Sequence, residues 1–464
     1  MSKPGKTTAV ESESHNLPYP KPALAWKATL FLAVLYWLSI LDRFIIALLV
    51  DPIKRDLSLS DVQFGMLHGL AFAVTYALFG LAAGALADRV SRRRIIFISV
   101  SVWSLATAAC GLAQNFWHLL LARIGVGAGE AGLNPSATSM LTDLFPREKL
   151  TSAMAVYALG ATLGSGMAYI FGGMIVDLVS QTESLVIPMV GEMRSWQAVF
   201  IIIGVPGTLL SLVIFAVPEP VRRDKLGISR KGNYLTEFTR SYSAMLSFMR
   251  PHGRFFLCHY VGFGLASMVL ASGAIWYPAH MGRSFGWSAG EIGLYLGLTL
   301  MIAGIAGKLI GGWAMDAMYR SGSRDAQLRW YARCLLVAAP VGVIATSSDS
   351  PWVFLTGMGL FLILLSPLPA CANTALNLIT PNELRGTGVA LFSASAGMIG
   401  SACGPILVAA LSDHFFDQSI GTAMGAVIAV CCPLAAIVLA LGYESMRYAA
   451  RKAEGLSAIQ PASG

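Results

Sequence analysis

The chain alternates between long apolar runs and short polar intervals. Twelve apolar runs, bounded by charge, Pro or Gly, lie at 28–50, 62–87, 95–114, 117–142, 151–177, 196–217, 255–279, 289–315, 331–348, 352–379, 385–411 and 420–443. An α-helix needs about 20 apolar residues to cross a hydrocarbon core of roughly 30 Å. The pattern therefore predicts an all-α membrane protein with twelve transmembrane helices, spans 1 to 12. The longest polar interval divides them six and six. It sets a tail at 1–22, an N-terminal six-helix bundle at 23–217, a linker at 218–254, a C-terminal six-helix bundle at 255–447 and a second tail at 448–464. In the linker, Leu235, Phe238, Tyr242, Met245, Leu246 and Met249 recur at helical spacing among eight Lys and Arg. They read either as an amphipathic helix lying on the inner leaflet or as a solvated, topology-setting segment.

Composition supports lipid as the solvent: 55% of the 464 residues are hydrophobic and only 12% are charged. The basic residues then give orientation, because cytoplasmic loops retain Lys and Arg. With both termini inside, 26 of the 33 fall in inner segments, and the outer loops hold only Lys54, Arg55, Arg194 and Arg283. The expected location is a cell (inner) membrane, multi-pass, with both tails cytoplasmic. The net charge of +8 follows from this topology, so no nucleic-acid partner is expected. Residues 1–22 are Ser-, Pro-, Lys- and Glu-rich with no apolar core, unlike a cleaved signal. The seven cysteines lie in or beside apolar runs without a CxxC, and the seven histidines are scattered. No metal, cofactor or enzymatic constellation is predicted, and a monomer is expected.

The two halves repeat one another. GALADRVSR, Gly84 to Arg92, matches GWAMDAMYR, Gly312 to Arg320, with Asp88/Asp316 and Arg92/Arg320 both offset by 228 residues. PREK at Pro146 and PNEL at Pro381 share Pro and Glu at an offset of 235. Internal repeats of this kind imply two pseudo-symmetric bundles with a site between them near the bilayer midplane.

The run GALADRVSRRR from Gly84 to Arg94 resembles the loop between spans 2 and 3 of major facilitator superfamily transporters, with Ser91 where that pattern usually has Gly. The resemblance implies a conformational latch of Gly84, Asp88, Arg89, Arg92, Asp316 and Arg320, closing the inner ends of the two bundles. LDRFIIALLVDPIKRDLSLSDVQFGML in spans 1 and 2, and RIGVGAGEAGLNPSATSMLTDLFPREK from span 4 onward, are similar to the spinster family of lysophospholipid and sphingosine-phosphate transporters, in a bacterial-type form. Related organic-anion and sugar-acid transporters also carry a D-R in span 1. The resemblance implies a secondary transporter of a lipid-like amphiphile working by alternating access. A carrier of a small organic anion or sugar acid, or an uncoupled uniporter, is the alternative.

Charges well inside the spans are few: Asp42, Arg43, Arg123, Glu130 and Lys308. Each costs at least roughly 2.5–3.5 kcal/mol at the bilayer centre and so is a functional candidate. Asp42 lies about 14 residues, ~21 Å, from the inner start of span 1, and Arg123 about 6 residues, ~9 Å, from the outer end of span 4, which places them at one depth. Glu130 follows two turns deeper, among Gly125, Gly127, Gly129 and Gly132 that admit a close helix or ligand. Asp42 and Glu130 are expected to couple protons by sharing Arg123 with the substrate. Arg43, Arg123, Lys308, Asn373 and Asn377 are expected to bind it. A pair that only fixes packing accounts for Arg43 equally well, and snorkelling does so for Lys308. The C-terminal spans otherwise offer Ser366 and apolar groups such as Phe263, Met268, Trp276 and Tyr277, a greasy wall suited to an amphiphile. Gly65/Gly69, Gly80/Gly84, Gly160/Gly164, Gly293/Gly297, Gly307/Gly311 and Gly400/Gly404 fit small-xxx-small packing, expected where spans 2 and 11, and 5 and 8, slide past one another.

Overall fold

A computed structural model describes residues 19–87, 90–180, 184–187, 191–221 and 234–459. Among these, eleven helices are long and apolar enough to cross a membrane. They are Pro22–Leu57, Asp61–Gly80, Arg92–Cys110, Ser152–Ser180, Ser195–Ala216, Thr239–Phe285, Ala289–Arg320, Ala326–Thr346, Pro351–Ile379, Leu384–Phe415 and Ile420–Leu441. The place of span 4 is taken by two segments, Phe116–Glu130 and Leu133–Leu144. Pro135 explains the interruption: it has no N–H for the Ala131 carbonyl, and its ring crowds that turn. Span 10 breaks in the same way between Pro351–Leu365 and Leu368–Ile379, at Ser366 and Pro367. Ala131 and Ser366 are 235 residues apart, the offset of the sequence repeat. Counting the two segments as one crossing, the chain has twelve spans in two halves. The one sheet among the described residues is a hairpin between spans 5 and 6, Ser184–Ile187 against Gly191–Arg194, antiparallel with Ser184 opposite Arg194.

The linker contains a helix at Tyr234–Met249, whose Met245 is buried against Gly388 of span 11. After span 12 a further helix runs Tyr443–Ile459, occupying most of the expected second tail. Met446, Ala449 and Ala450 bury one face of it, and its Arg447 Nε lies 3.5 Å from the buried Asp325 at the start of span 9.

The halves touch along only part of their length. Near the side away from the termini, Gly65 and Gly69 of span 2 press on Pro405 and Ser401 of span 11, and Gly166 and Gly173 of span 5 press on Met301 and Ala289 of span 8. A Cβ on Gly69 would fall 2.4 Å from the Ser401 carbonyl, so only glycine permits this approach. Toward the termini, Gly304 and Gly312 of span 8 and Gly386 and Gly397 of span 11 have no described atom within 4 Å of a Cβ position. Among the described residues, the bundles are closed on the far side and parted on the termini side.

Several of the expected sliding pairs serve other contacts. Gly160 and Gly164 receive Ala33 and Trp37 of span 1, Gly307 and Gly311 receive Ser366 and Pro367 of span 10, and Gly400 and Gly404 receive Ser267 and Met268 of span 7. Of the Gly80/Gly84 pair, Gly80 has only the Ala131 methyl at the edge of contact. The small-xxx-small spacing marks close helix approach without naming the partner.

Candidate functional site

Span 1 carries Ser39, Asp42 and Arg43 at the end of a regular α-helix that tightens to a 3₁₀ turn at Ile46–Leu49. Pro52 lacks the N–H that would continue the α ladder to Leu48. Span 4 is drawn in by its glycines. A Cβ at Gly129 would lie 2.5 Å from the Trp103 nitrogen of span 3, and one at Gly127 would lie 2.9 Å from the Phe72 carbonyl of span 2. Gly125 and Gly132 are likewise pressed on Ala106 and Ser99 of span 3. This approach brings Glu130 to span 1.

There, Glu130 Oε2 is 2.5 Å from Arg43 Nη2 and accepts a hydrogen bond from Ser39 Oγ at 2.9 Å. Its other oxygen is buried and makes no hydrogen bond. Asp42 is buried and accepts from the Thr107 hydroxyl of span 3. Arg123 is wholly buried, and none of its three nitrogens meets an acceptor in hydrogen-bonding geometry. Asp42, Cys110 and His68 are its polar neighbours. The four expected charges thus converge in the N-terminal half, but Glu130 engages Arg43, while Arg123 lies beside Asp42.

Arg43 is the charge that faces open space. Its side chain is 25% exposed, and its guanidinium lies 4.4 Å from the centre of the Phe72 ring and 5.3 Å from that of Tyr76. These residues line a cavity of about 340 Å³ between the halves. Ala73, Ala77, Gly80, Ala131 and Pro135 complete its N-terminal wall, and Ala390, Ser393, Ala394, Gly397 and Ser401 of span 11 form the other. The cavity lies on the termini side of the Gly69–Ser401 contact.

Lys308, Asn373 and Asn377 do not line this cavity. Lys308 is exposed beside Leu309 and Ile310, because Gly307 and Gly311 turn the adjoining helix face onto span 10. Asn373 and Asn377 lie off the face that Ala372, Ala375, Leu376 and Ile379 bury. Of the groups expected on a greasy wall, Phe263 and Tyr277 are buried in the C-terminal half, Trp276 packs across the seam against Phe64 of span 2, and the wall opposite Arg43 is made of small residues instead.

Asp88 and Arg89 lie outside the described residues. Gly84 lies in the helix Ala71–Ala87, and Asp316 and Arg320 are exposed. Arg92, expected in a latch between bundles, is buried with partners from the N-terminal bundle and the first residues of the linker. They are Asp143, the Ser139 and Pro220 carbonyls, and Glu219 at 3.1 Å. Glu219 caps span 3. It accepts from the backbone N–H of Arg92 and of Arg93, both at 3.1 Å, and from the Ser91 hydroxyl at 2.6 Å. Ser91 also caps Arg94 through its Oγ, which accounts for a hydroxyl where the superfamily pattern has Gly. Burial raises the Glu219 pKa, but the bonds from Ser91, Arg93 and Arg92 outweigh it and hold the carboxyl below its ordinary range.

On the far side, Arg283 at the end of span 7 forks onto Asp61 of span 2 and also reaches Asp51 at 2.7 Å. Lys54 binds the same Asp61, Ser288 Oγ donates to Asp177 at 3.1 Å, and Val62 N donates to Asp413 at 3.3 Å. In the sequence Lys54 and Arg283 register only as outer-loop charges. Their depth, shared with Asp51 and Asp61, was the available signal.

The family model of the Major Facilitator Superfamily matches residues 32–318 and 260–461. An MFS-type efflux pump of Mycolicibacterium smegmatis is 27% identical over 434 residues, covering 92% of this chain and 94% of that protein. Spinster homolog 1 of Xenopus laevis is 25% identical over 410 residues, covering 84% and 73%. The crystal structure of a bacterial homolog to the human lysosomal transporter Spinster, inward-facing and unoccupied, is similar with a TM-score of 0.74 at 24% identity, covering 94% of this chain and 99% of that one.

Proposed function

The chain belongs to the Major Facilitator Superfamily, and we propose that it carries a lysophospholipid- or sphingosine-phosphate-like anion across the membrane by alternating access, coupled to protons. The observation that carries this reading is the asymmetry of the interbundle cavity. One wall presents Arg43 over two aromatic rings, and the other presents Ala390, Ser393, Ala394, Gly397 and Ser401 without a charge. An anionic head group matches the first wall and an acyl chain the second.

Coupling follows from competition for Arg43. A phosphate at Arg43 competes with Glu130, because both draw on the same guanidinium for charge-assisted donors. Glu130 is then left buried with the Ser39 hydroxyl, and a proton neutralises it at lower cost than a bare charge in that setting. Asp42, held by Thr107 beside Arg123, is the second acid of the system. Substrate anion and proton thus enter together through one ion pair. In the expected orientation, termini inside, the parted side faces the cytoplasm, and the tails lie there with it.

Flux in proteoliposomes tests the reading, with a lysophospholipid inside and an imposed proton gradient. Lysophospholipid movement that follows the gradient supports it. Movement independent of the gradient would make the protein a uniporter, and movement of a hexuronate in place of the lipid would make it a sugar-acid carrier.

A further inference from the structure

Beside Arg43 the N-terminal wall holds a second polar arrangement that the ion pair does not use. Four spans meet there. Tyr157 of span 5 is buried, and its hydroxyl is 2.5 Å from Asn134 Oδ1, just past the break in span 4. Asn134 Nδ2 is 3.3 Å from the hydroxyl of Tyr76 in span 2. The Tyr36 ring stacks on that of Tyr157 at 5.0 Å, and its hydroxyl, beside Asn134, closes the group from span 1.

The direction of this chain is set by chemistry. The Asn134 carboxamide oxygen faces Tyr157 and its nitrogen faces Tyr76. A carboxamide oxygen cannot donate, so Tyr157 gives its proton to Asn134. The amide nitrogen then faces Tyr76 and can only donate, so the Tyr76 oxygen accepts. The Tyr76 proton is left to point elsewhere, and no acceptor among the described residues takes it. Tyr76 lines the cavity, with the Arg43 guanidinium 5.3 Å from its ring. That spacing lets one anionic group meet both.

We propose that Tyr157, Asn134 and Tyr76 form a one-way hydrogen-bond chain whose end, the Tyr76 hydroxyl, is a second donor to the anionic oxygens of the ligand held at Arg43. The proposal rests on the reading of this cavity as an anion site. It assigns Tyr76 to the ligand and makes Asn134 and Tyr157 positioning residues. The chemistry recognised is an anionic oxygen, whether of a lipid phosphate or of a carboxylate. An uncharged ligand gains little, because charge-assisted bonds are roughly twice as strong as neutral ones.

Equilibrium binding to the purified full chain tests it, with lysophosphatidic acid and a hexuronate as probes and monoacylglycerol as the uncharged control. Tyr76→Phe keeps the ring over which Arg43 sits and removes only the hydroxyl. It should weaken binding of the anion by about tenfold and leave any monoacylglycerol binding unchanged. Tyr157→Phe frees the carboxamide to turn its oxygen toward Tyr76 and capture that proton. It should lose a similar factor for the anion, and the double variant should lose no more than Tyr76→Phe alone. A Tyr76→Phe variant that binds the anion as tightly as the parent overturns the chain, as do additive losses in the double variant. A parent that binds the hexuronate and not the lipid removes the amphiphile reading, while Tyr76→Phe still decides the chain on the hexuronate. A parent that binds neither anion overturns both.

Discussion

Arg283 and Asp61 join the two halves through both terminal guanidinium nitrogens and both carboxylate oxygens, at 3.0 and 3.1 Å, at the end of the molecule away from the termini. The Asp61 side chain is fully buried in this contact. An alternating-access cycle must break such a pair to open that side, and its strength therefore biases the conformational equilibrium.

Arg283→Ala should shift the population toward states open on the far side. Truncating one member of a buried charge pair costs about 2–5 kcal/mol, and the low end applies because Arg283 is 24% exposed. A bias of about 2 kcal/mol is roughly thirtyfold in population. Spin-label distances between the far ends of spans 2 and 7 would report it. Distributions that match those of the parent would remove this pair from the closing contact.

Steric closure should be as sensitive as ionic closure. A Cβ at Gly173 would lie 2.3 Å from the Ala289 carbonyl across the halves, where only backbone movement can relieve the clash. Gly173→Ala is expected to part spans 5 and 8 on the far side and raise the reactivity of a cysteine placed there toward an impermeant thiol reagent. Gly304→Ala, with no described atom within 4 Å of the added carbon, is the control that should change little.

Glu130→Gln imitates the protonated acid and releases Arg43. Anion binding should tighten, by roughly tenfold for the loss of a competing charge-assisted contact, and become insensitive to pH. Uphill transport driven by a proton gradient should fall. A variant that keeps the pH profile of the parent in both assays would move proton coupling away from Glu130.

Glu219 ties span 3 to the exit of span 6, and Glu219→Ala should cost about 1–3 kcal/mol through the lost cap and the exposed demand of Arg92. The sign of its pH dependence follows from a folded-state pKa held below the ordinary carboxyl value of 4.5. The contribution is present above that value and is lost as pH falls through the lower folded-state value. Thermal unfolding of parent and variant should therefore differ at neutral pH and converge in acid. A difference that persists unchanged through acid titration would assign the effect to packing.

The sequence by itself determined the lipid solvent, the six-and-six division, the repeat and the gathering of Asp42, Arg43, Arg123 and Glu130 in one half. Run length, charge and helical rise are properties of the chain read one residue after another, and they report depth directly. Tertiary structure decided the pairings. Arg43 rather than Arg123 meets Glu130 because Gly127 and Gly129 let span 4 close on spans 2 and 3, and the resulting rotation chooses which cation faces the acid. Asn134 and Tyr157 carry no charge, so nothing in the chain marked them until four spans brought them together. Lys308 lies within a span but on the wrong face, since the glycines beside it turn toward span 10. Arg283 with Asp61, and Arg92 with Glu219, are separated by 222 and 127 residues. At those separations, which faces abut is a property of packing that no local period records.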